Sequence, residues 1–111
     1  MNEARLQKLL EFFEKDPSDP FLRYALATEY LKLKEYPTAL VYFEDLVKDH
    51  PKYIATYYHL GKLYETLGRR EDAIQIYQQG MNVARGANDS HAFTELRAAF
   101  LSVTGNDFDE D

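Results

Sequence analysis

The sequence predicts an all-α fold, an α-solenoid of antiparallel helix pairs with about six helices. Three observations carry this. Apolar residues recur at helical spacing along most of the chain. X-Pro steps punctuate it at Asp16-Pro17, Asp19-Pro20 and His50-Pro51, where proline disfavours helical geometry in the residue before it. The interval from Pro17 to Pro51, 34 residues, is also the shift at which the chain matches itself.

The first segment, residues 3–15, sets Leu6, Leu9, Leu10 and Phe13 at i, i+3, i+4 and i+7, one apolar stripe. Asp16-Pro17 ends it. Asp19 and Pro20 restart a helix as N-cap and first helical residue. From there a shift of 34 places Leu26 on Leu60, Ala27 on Gly61, Tyr30 on Tyr64, Leu33 on Leu67, Ala39 on Ala73, Leu40 on Ile74 and Phe43 on Tyr77. A period of this size marks stacked supersecondary units, each too small to bury its apolar face alone. Unit one is expected to hold helices over Pro20–Leu33 and Pro37–Asp49. Unit two is expected to hold them over Tyr53–Leu67 and Arg70–Arg85, with Gly68 as the left-handed residue that ends a helix.

Glycine inside a helix costs about 1 kcal/mol relative to alanine. Gly61 and its counterpart Ala27 therefore predict a close helix crossing, with Ala39 and Ala73 as the facing small residues and Tyr30, Tyr64, Phe43 and Tyr77 around it.

These residues resemble the tetratricopeptide repeat family, whose pattern runs aromatic-x2-Leu-Gly-x2-Tyr, then Ala-x3-Phe, then Pro. The second unit reads Tyr57-x2-Leu60-Gly61-x2-Tyr64 and Ala73-x3-Tyr77. The first reads Arg23-x2-Leu26-Ala27-x2-Tyr30, Ala39-x3-Phe43 and Pro51. Arg23 departs from the leading aromatic, Gly80 from the usual Ala, and Arg85 from the expected Pro. The match covers residues 20–85 and implies a right-handed solenoid.

The flanks extend it. The 3–15 helix sits one period before Pro37–Asp49, aligning Leu9 with Phe43 and Phe12 with Leu46, like the second half of a preceding repeat. At the other end a shift of 36 places Phe93, Leu96 and Phe100 on Tyr57, Leu60 and Tyr64. This predicts two residues inserted in the loop Gly86-Ala87-Asn88-Asp89. It also puts Arg97 at the small-residue position of Gly61, which marks Ser90 to about Val103 as a capping helix. The expected organisation is one domain over 1–104, with repeats over about 20–53 and 54–87, and a disordered acidic tail at 105–111.

Composition narrows function. The 111 residues carry 13 basic and 19 acidic side chains, a net charge of −6. Four of those acids lie in 105–111, leaving a body with 15 acids and 13 bases. This argues against nucleic acid or an anionic membrane as partner. No signal peptide or membrane-length apolar run is visible, and a cytoplasmic location is the default. With no Cys there is no disulfide framework, thiolate nucleophile or Cys-ligated zinc.

His50, His59 and His91 lack a second ligand at metal spacing and read as surface or packing residues. Asp107-x-Asp109-x-Asp111 lacks the turn glycine and distal Glu of a calcium loop. No nucleophile elbow, phosphate loop or dinucleotide fingerprint occurs. The chain is therefore read as non-enzymatic, without metal or cofactor. Sixteen aromatic residues, 9 Tyr and 7 Phe with no Trp, remain to be explained. Seven of them, Tyr30, Phe43, Tyr57, Tyr64, Tyr77, Phe93 and Phe100, are assigned to helix packing by the repeat pattern.

What function there is follows from the resemblance, which implies a concave groove lined by the first helix of each repeat. Carried over by position, the lining is Phe21, Tyr24, Thr28 and Leu31, then Ala55, Tyr58, Lys62 and Glu65. In the capping helix it is His91, Thr94, Ala98 and Leu101. The expected partner is a peptide or protein segment, extended or helical, held by Tyr24 and Tyr58 as apolar anchors with polar tips. Chaperone-binding relatives clamp a C-terminal carboxylate with Lys and Asn. Tyr24, Thr28, His59, His91 and Glu95 stand at those positions here, so no such clamp is expected. The alternative is a structural, self-associating scaffold, a homo-dimer among its forms. In one variation Phe108 of the tail occupies the groove.

Overall fold

The computed structural model describes the backbone of residues 2–108 and the side chains of 3–105. Six helices follow one another: α1 (Asn2–Lys15), α2 (Pro20–Lys32), α3 (Tyr36–Asp49), α4 (Ala55–Thr66), α5 (Arg70–Gly86) and α6 (Ser90–Phe108). Among the described residues there is no strand. The chain divides into two compact units, Met1–Tyr53 and Ile54–Asp111, at the border between the two sequence repeats.

In the first unit α2 packs against both α1 and α3. Asp19 caps α2: its Oδ1 accepts the Phe21 amide at 2.9 Å, and Pro20 begins the helix. Leu9, Ala25 and Leu26 are buried, with Leu6, Leu10, Phe13, Leu22, Tyr30 and Tyr42 packed on them. Tyr42 joins the helices through its ring. It stacks on Tyr30 at 5.7 Å and meets the Phe13 ring edge-on at 5.9 Å. Phe12, expected to match the buried Leu46, is instead 51% exposed. α1 turns the stripe of Leu9 and Phe13 inward, and Phe12 lies off that stripe.

In the second unit α5 packs against both α4 and α6. Tyr57, Leu60, Gly61 and Leu63 of α4, Ala73 and Tyr77 of α5, and Leu96 of α6 are almost completely buried. The small residue at 61 accommodates a ring rather than another small residue. A Cβ on Gly61 would lie 2.1 Å from Tyr77 Cε1. Gly80, the departure from alanine, has the same cause: a Cβ there would meet Tyr57 Cβ at 2.6 Å and Leu96 Cδ1 at 3.1 Å.

Three helices end alike. At the ends of α2, α4 and α5, Lys34 (φ 60°), Gly68 (φ 75°) and Asn88 (φ 57°) take the left-handed conformation. In each case the next amide bonds back five residues: Glu35 to Tyr30 O at 2.9 Å, Arg69 to Tyr64 O at 2.8 Å and Asp89 to Ala84 O at 2.9 Å. This double closure satisfies carbonyls that the helix end leaves unpaired. Gly68 was legible as such a residue; Lys34, one period earlier, was not.

Two expectations shift at the second unit's edges. The extra residues are not in the 86–89 loop. Gly86 belongs to α5, which spans 17 residues against 14 for α3, so the insertion lengthens the helix. α6 also passes its expected end near Val103 and continues to Phe108. Nothing lies within 4 Å of a Cβ position at Gly105, and Thr104 Oγ1 bonds back to Phe100 O at 2.8 Å along the same helix. The remainder of the expected tail, 109–111, falls outside the described residues, as does the Phe108 side chain.

Candidate functional site

The α2 face of the first unit carries Phe21, Tyr24, Thr28 and Leu31. Phe21 is 57% exposed in the first turn. Thr28 spends its hydroxyl on its own helix, donating to Ala25 O at 2.9 Å. Leu31 is half-buried. The half-buried Tyr24 packs its ring on Tyr53 at 5.7 Å, and burial pushes both phenols above their ordinary pKa. Tyr53 was read as the start of a helix. It lies before α4, in the turn set by Pro51. Beside it Arg23 Nη1 contacts Asp49 Oδ2 at 2.5 Å, joining α2 to the end of α3, and Arg23 Nε donates to Pro17 O at 3.0 Å. That gives Arg23, at the aromatic position of the repeat, a structural use.

In the second unit the α4 and α6 faces share a depression of 260 Å³ lined by Tyr58, Lys62, Glu95, Ala98, Ala99 and Ser102. Three of the residues singled out from sequence, Tyr58, Lys62 and Ala98, thus come together. Glu95 enters the groove reading only at a clamp position, and Ala99 and Ser102 have no place in it. The signal for them is helical spacing, since Glu95, Ala98, Ala99 and Ser102 form one α6 stripe at i, i+3, i+4 and i+7. Tyr58 meets the His59 ring edge-on at 5.8 Å, and Lys62 Nζ stands 5.5 Å over the Tyr58 ring. Lys62 is also 3.8 Å from Glu65 Oε2.

Glu65 is tied inward. Its Oε2 accepts the Tyr77 hydroxyl at 2.5 Å, and burial together with this carboxylate drives the Tyr77 phenol far above its ordinary pKa. The pair has a sequence signature: one period earlier the same two positions are Leu31 and Phe43, so both polar groups arrive together.

The remaining candidates lie apart from the depression's lining. Ala55 is exposed at the start of α4. His91 is exposed, with Nε2 3.7 Å from Glu95 Oε2. Thr94 lines a different depression, of 310 Å³, with Phe93, Arg85 and the α5–α6 turn. Leu101 is 42% exposed. Arg97, at the small-residue position of the shifted repeat, is exposed.

A buried carboxylate lies on α2 that the sequence did not announce. Glu29 is 1% exposed, at the position Leu63 holds in the second repeat. Its Oε2 accepts from Arg5 Nε of α1 at 2.8 Å and Lys32 Nζ at 3.3 Å, while Oε1 makes no hydrogen bond within the described chain. Burial alone would raise its pKa. The bonds from Arg5 and Lys32 prevail and hold it below the ordinary value. Among the described residues no group of three or more His, Asp or Glu side chains could hold a metal ion, and no helix is long and apolar enough to cross a membrane.

Antiparallel helix pairs repeated on a 34-residue period, with a glycine seated against an aromatic ring, define a helical-repeat protein of the protein-interaction kind. The chain belongs to the tetratricopeptide repeat family, whose sequence model matches residues 30–99. A tetratricopeptide repeat domain protein from Salinibacter ruber is 52% identical over 78% of this chain and 98% of its own, with a TM-score of 0.76. A protein from Bordetella parapertussis is 22% identical, with a TM-score of 0.79 over 95% of this chain and 91% of that one. The TPR2B domain of yeast Sti1, in its pHsp70 complex, shares the fold at 13% identity, with a TM-score of 0.83 over 91% of this chain and 81% of that one. No curated protein matches the chain. Domains of this fold are generally non-catalytic.

Proposed function

We propose that the protein is a non-enzymatic module that binds a peptide or protein segment on the faces presented by the first helix of each repeat and by α6. The observation that supports this best is the depression of the second unit, where Tyr58, Lys62 and Ala98 come together. A half-buried ring with small residues beside it offers an apolar seat with polar groups at its edge, the composition of an anchoring pocket. The Sti1 domain, similar in fold, is solved as a complex with pHsp70. The acid Glu95 in this face is a poor substitute for the cations of a carboxylate clamp, so the segment is held through its side chains.

The test compares wild type with Tyr58→Ala and Ala98→Glu as baits in native extract, identifying bound proteins by mass spectrometry and then measuring the purified pair. Both variants are expected to keep the wild-type thermal midpoint within a few degrees and to lose the partner. Retention of the partner by both would overturn the reading. A concentration-dependent dimer that Tyr58→Ala dissociates would favour self-association.

A further inference from the structure

Resting on that proposed peptide-binding face, we infer that the second unit's depression selects a segment carrying an apolar side chain next to a lysine or arginine. The lining sets the half-buried Tyr58 ring beside the exposed Ala98 and the buried Ala99, and the rim carries two charges, Lys62 and Glu95. These are not equivalent. Lys62 is already engaged on its own helix, with its ammonium 3.8 Å from Glu65 and 5.5 Å over the Tyr58 ring. Glu95 is 56% exposed on α6, and the contact it makes in the structure is with His91 at 3.7 Å, an ion pair only when that imidazole is protonated.

His59, close enough to feel the Glu95 charge, does not cancel it. Burial lowers the His59 pKa more than the carboxylate raises it, so this ring is neutral at pH 7. The charge left uncompensated at the rim is therefore negative. A ligand ammonium or guanidinium beside an inserted apolar group answers it, and a ligand carboxylate is repelled.

The probes are two blocked hexapeptides, acetyl-Ala-Ala-Leu-Lys-Ala-Ala-amide and the same peptide with Glu in place of Lys, titrated into 15N-labelled protein. The lysine peptide is expected to shift the amides of Tyr58, Lys62, Glu95, Ala98 and Ser102 and to bind about five- to tenfold tighter, the scale of one exposed attraction exchanged for a repulsion. Glu95→Lys is expected to reverse that order without moving the thermal midpoint. Equal binding of both peptides at these residues, or an order unchanged in Glu95→Lys, overturns the charge selection while leaving the peptide-binding reading intact. Absence of any shift in the depression overturns this inference by itself. The partner experiment with Tyr58→Ala then judges the wider reading separately.

Discussion

A Cβ placed on Gly61 would stand 2.1 Å from Cε1 of Tyr77, a ring held in place at its far end by a 2.5 Å hydrogen bond to Glu65. The ring cannot retreat without breaking that bond. Helix propensity alone would make Gly61→Ala stabilising by about 1 kcal/mol. The clash is expected to reverse the sign and cost about 2–3 kcal/mol, the scale of overpacking in a close-packed core. Gly61→Leu is expected to cost more. Gly86 is the control: it is helical with nothing within 4 Å of its Cβ position. Gly86→Ala is expected to be neutral or to stabilise by about 0.5 kcal/mol. Urea unfolding of the variants checks both signs.

The Tyr77 phenol gives stability an alkaline limit. Its folded pKa lies well above the ordinary 10.0. Above pH 10 the unfolded chain releases this proton while the folded chain keeps it, so folding stability falls as pH rises past 10. One such group contributes up to about 1.4 kcal/mol per pH unit. Tyr77→Phe is expected to cost about 1 kcal/mol at pH 7 through the lost bond to Glu65. It is also expected to flatten the loss between pH 10 and 11.5. Denaturation at a series of alkaline pH values reads the slope, and an unchanged slope would contradict the assignment.

Lys34 adopts φ 60° at the place where the second repeat has Gly68 at φ 75°. A residue with a Cβ pays about 1 kcal/mol in this region, whereas glycine does not. Lys34→Gly is therefore expected to stabilise by up to about 1 kcal/mol. Gly68→Lys is expected to destabilise by a similar amount. Thermal midpoints of the two variants, moving in opposite directions, would verify this.

Glu29 is buried at 1% exposure and relies on Arg5 across the α1–α2 packing. Removing Arg5 leaves the carboxylate with Lys32 alone, and Arg5→Met is expected to cost about 2 kcal/mol. Glu29→Leu installs the residue found at the equivalent buried position 63 and is expected to be close to neutral. The folded pKa of Glu29 lies below its ordinary 4.5. Its contribution is therefore present above pH 4.5 and lost as pH falls through the folded value. Stability measured from pH 7 to 3 is expected to fall less steeply for Glu29→Leu than for wild type.

The helices, their order and the repeat were legible because period, punctuation and stripe all report local geometry. Asp19 and Pro20 fix the start of α2 by their own chemistry, and Gly61 announced a close approach before any partner was known. The partner itself was not legible. Ala73 was the natural guess for what faces Gly61, but the angle at which α5 crosses α4 decides which side chain arrives, and it brings the Tyr77 ring. Glu29 escaped notice for a related reason: burial of a charge depends on Arg5 reaching across from another helix. Lys34 was missed because a left-handed lysine carries no compositional mark.

The aromatic residues show the same division. By itself the sequence determined that rings at 30, 43, 57, 64 and 77 belong to a repeated packing scheme, since a 34-residue match needs no coordinates. Only the tertiary structure decided that Tyr42 stacks on Tyr30, that Tyr24 packs on Tyr53, and that Tyr58 shares a depression with Ala98 and Glu95. Sequence spacing specifies which face of a helix a residue occupies. Which residues share a pocket depends on how whole helices cross, and that is fixed by side chains meeting across the core.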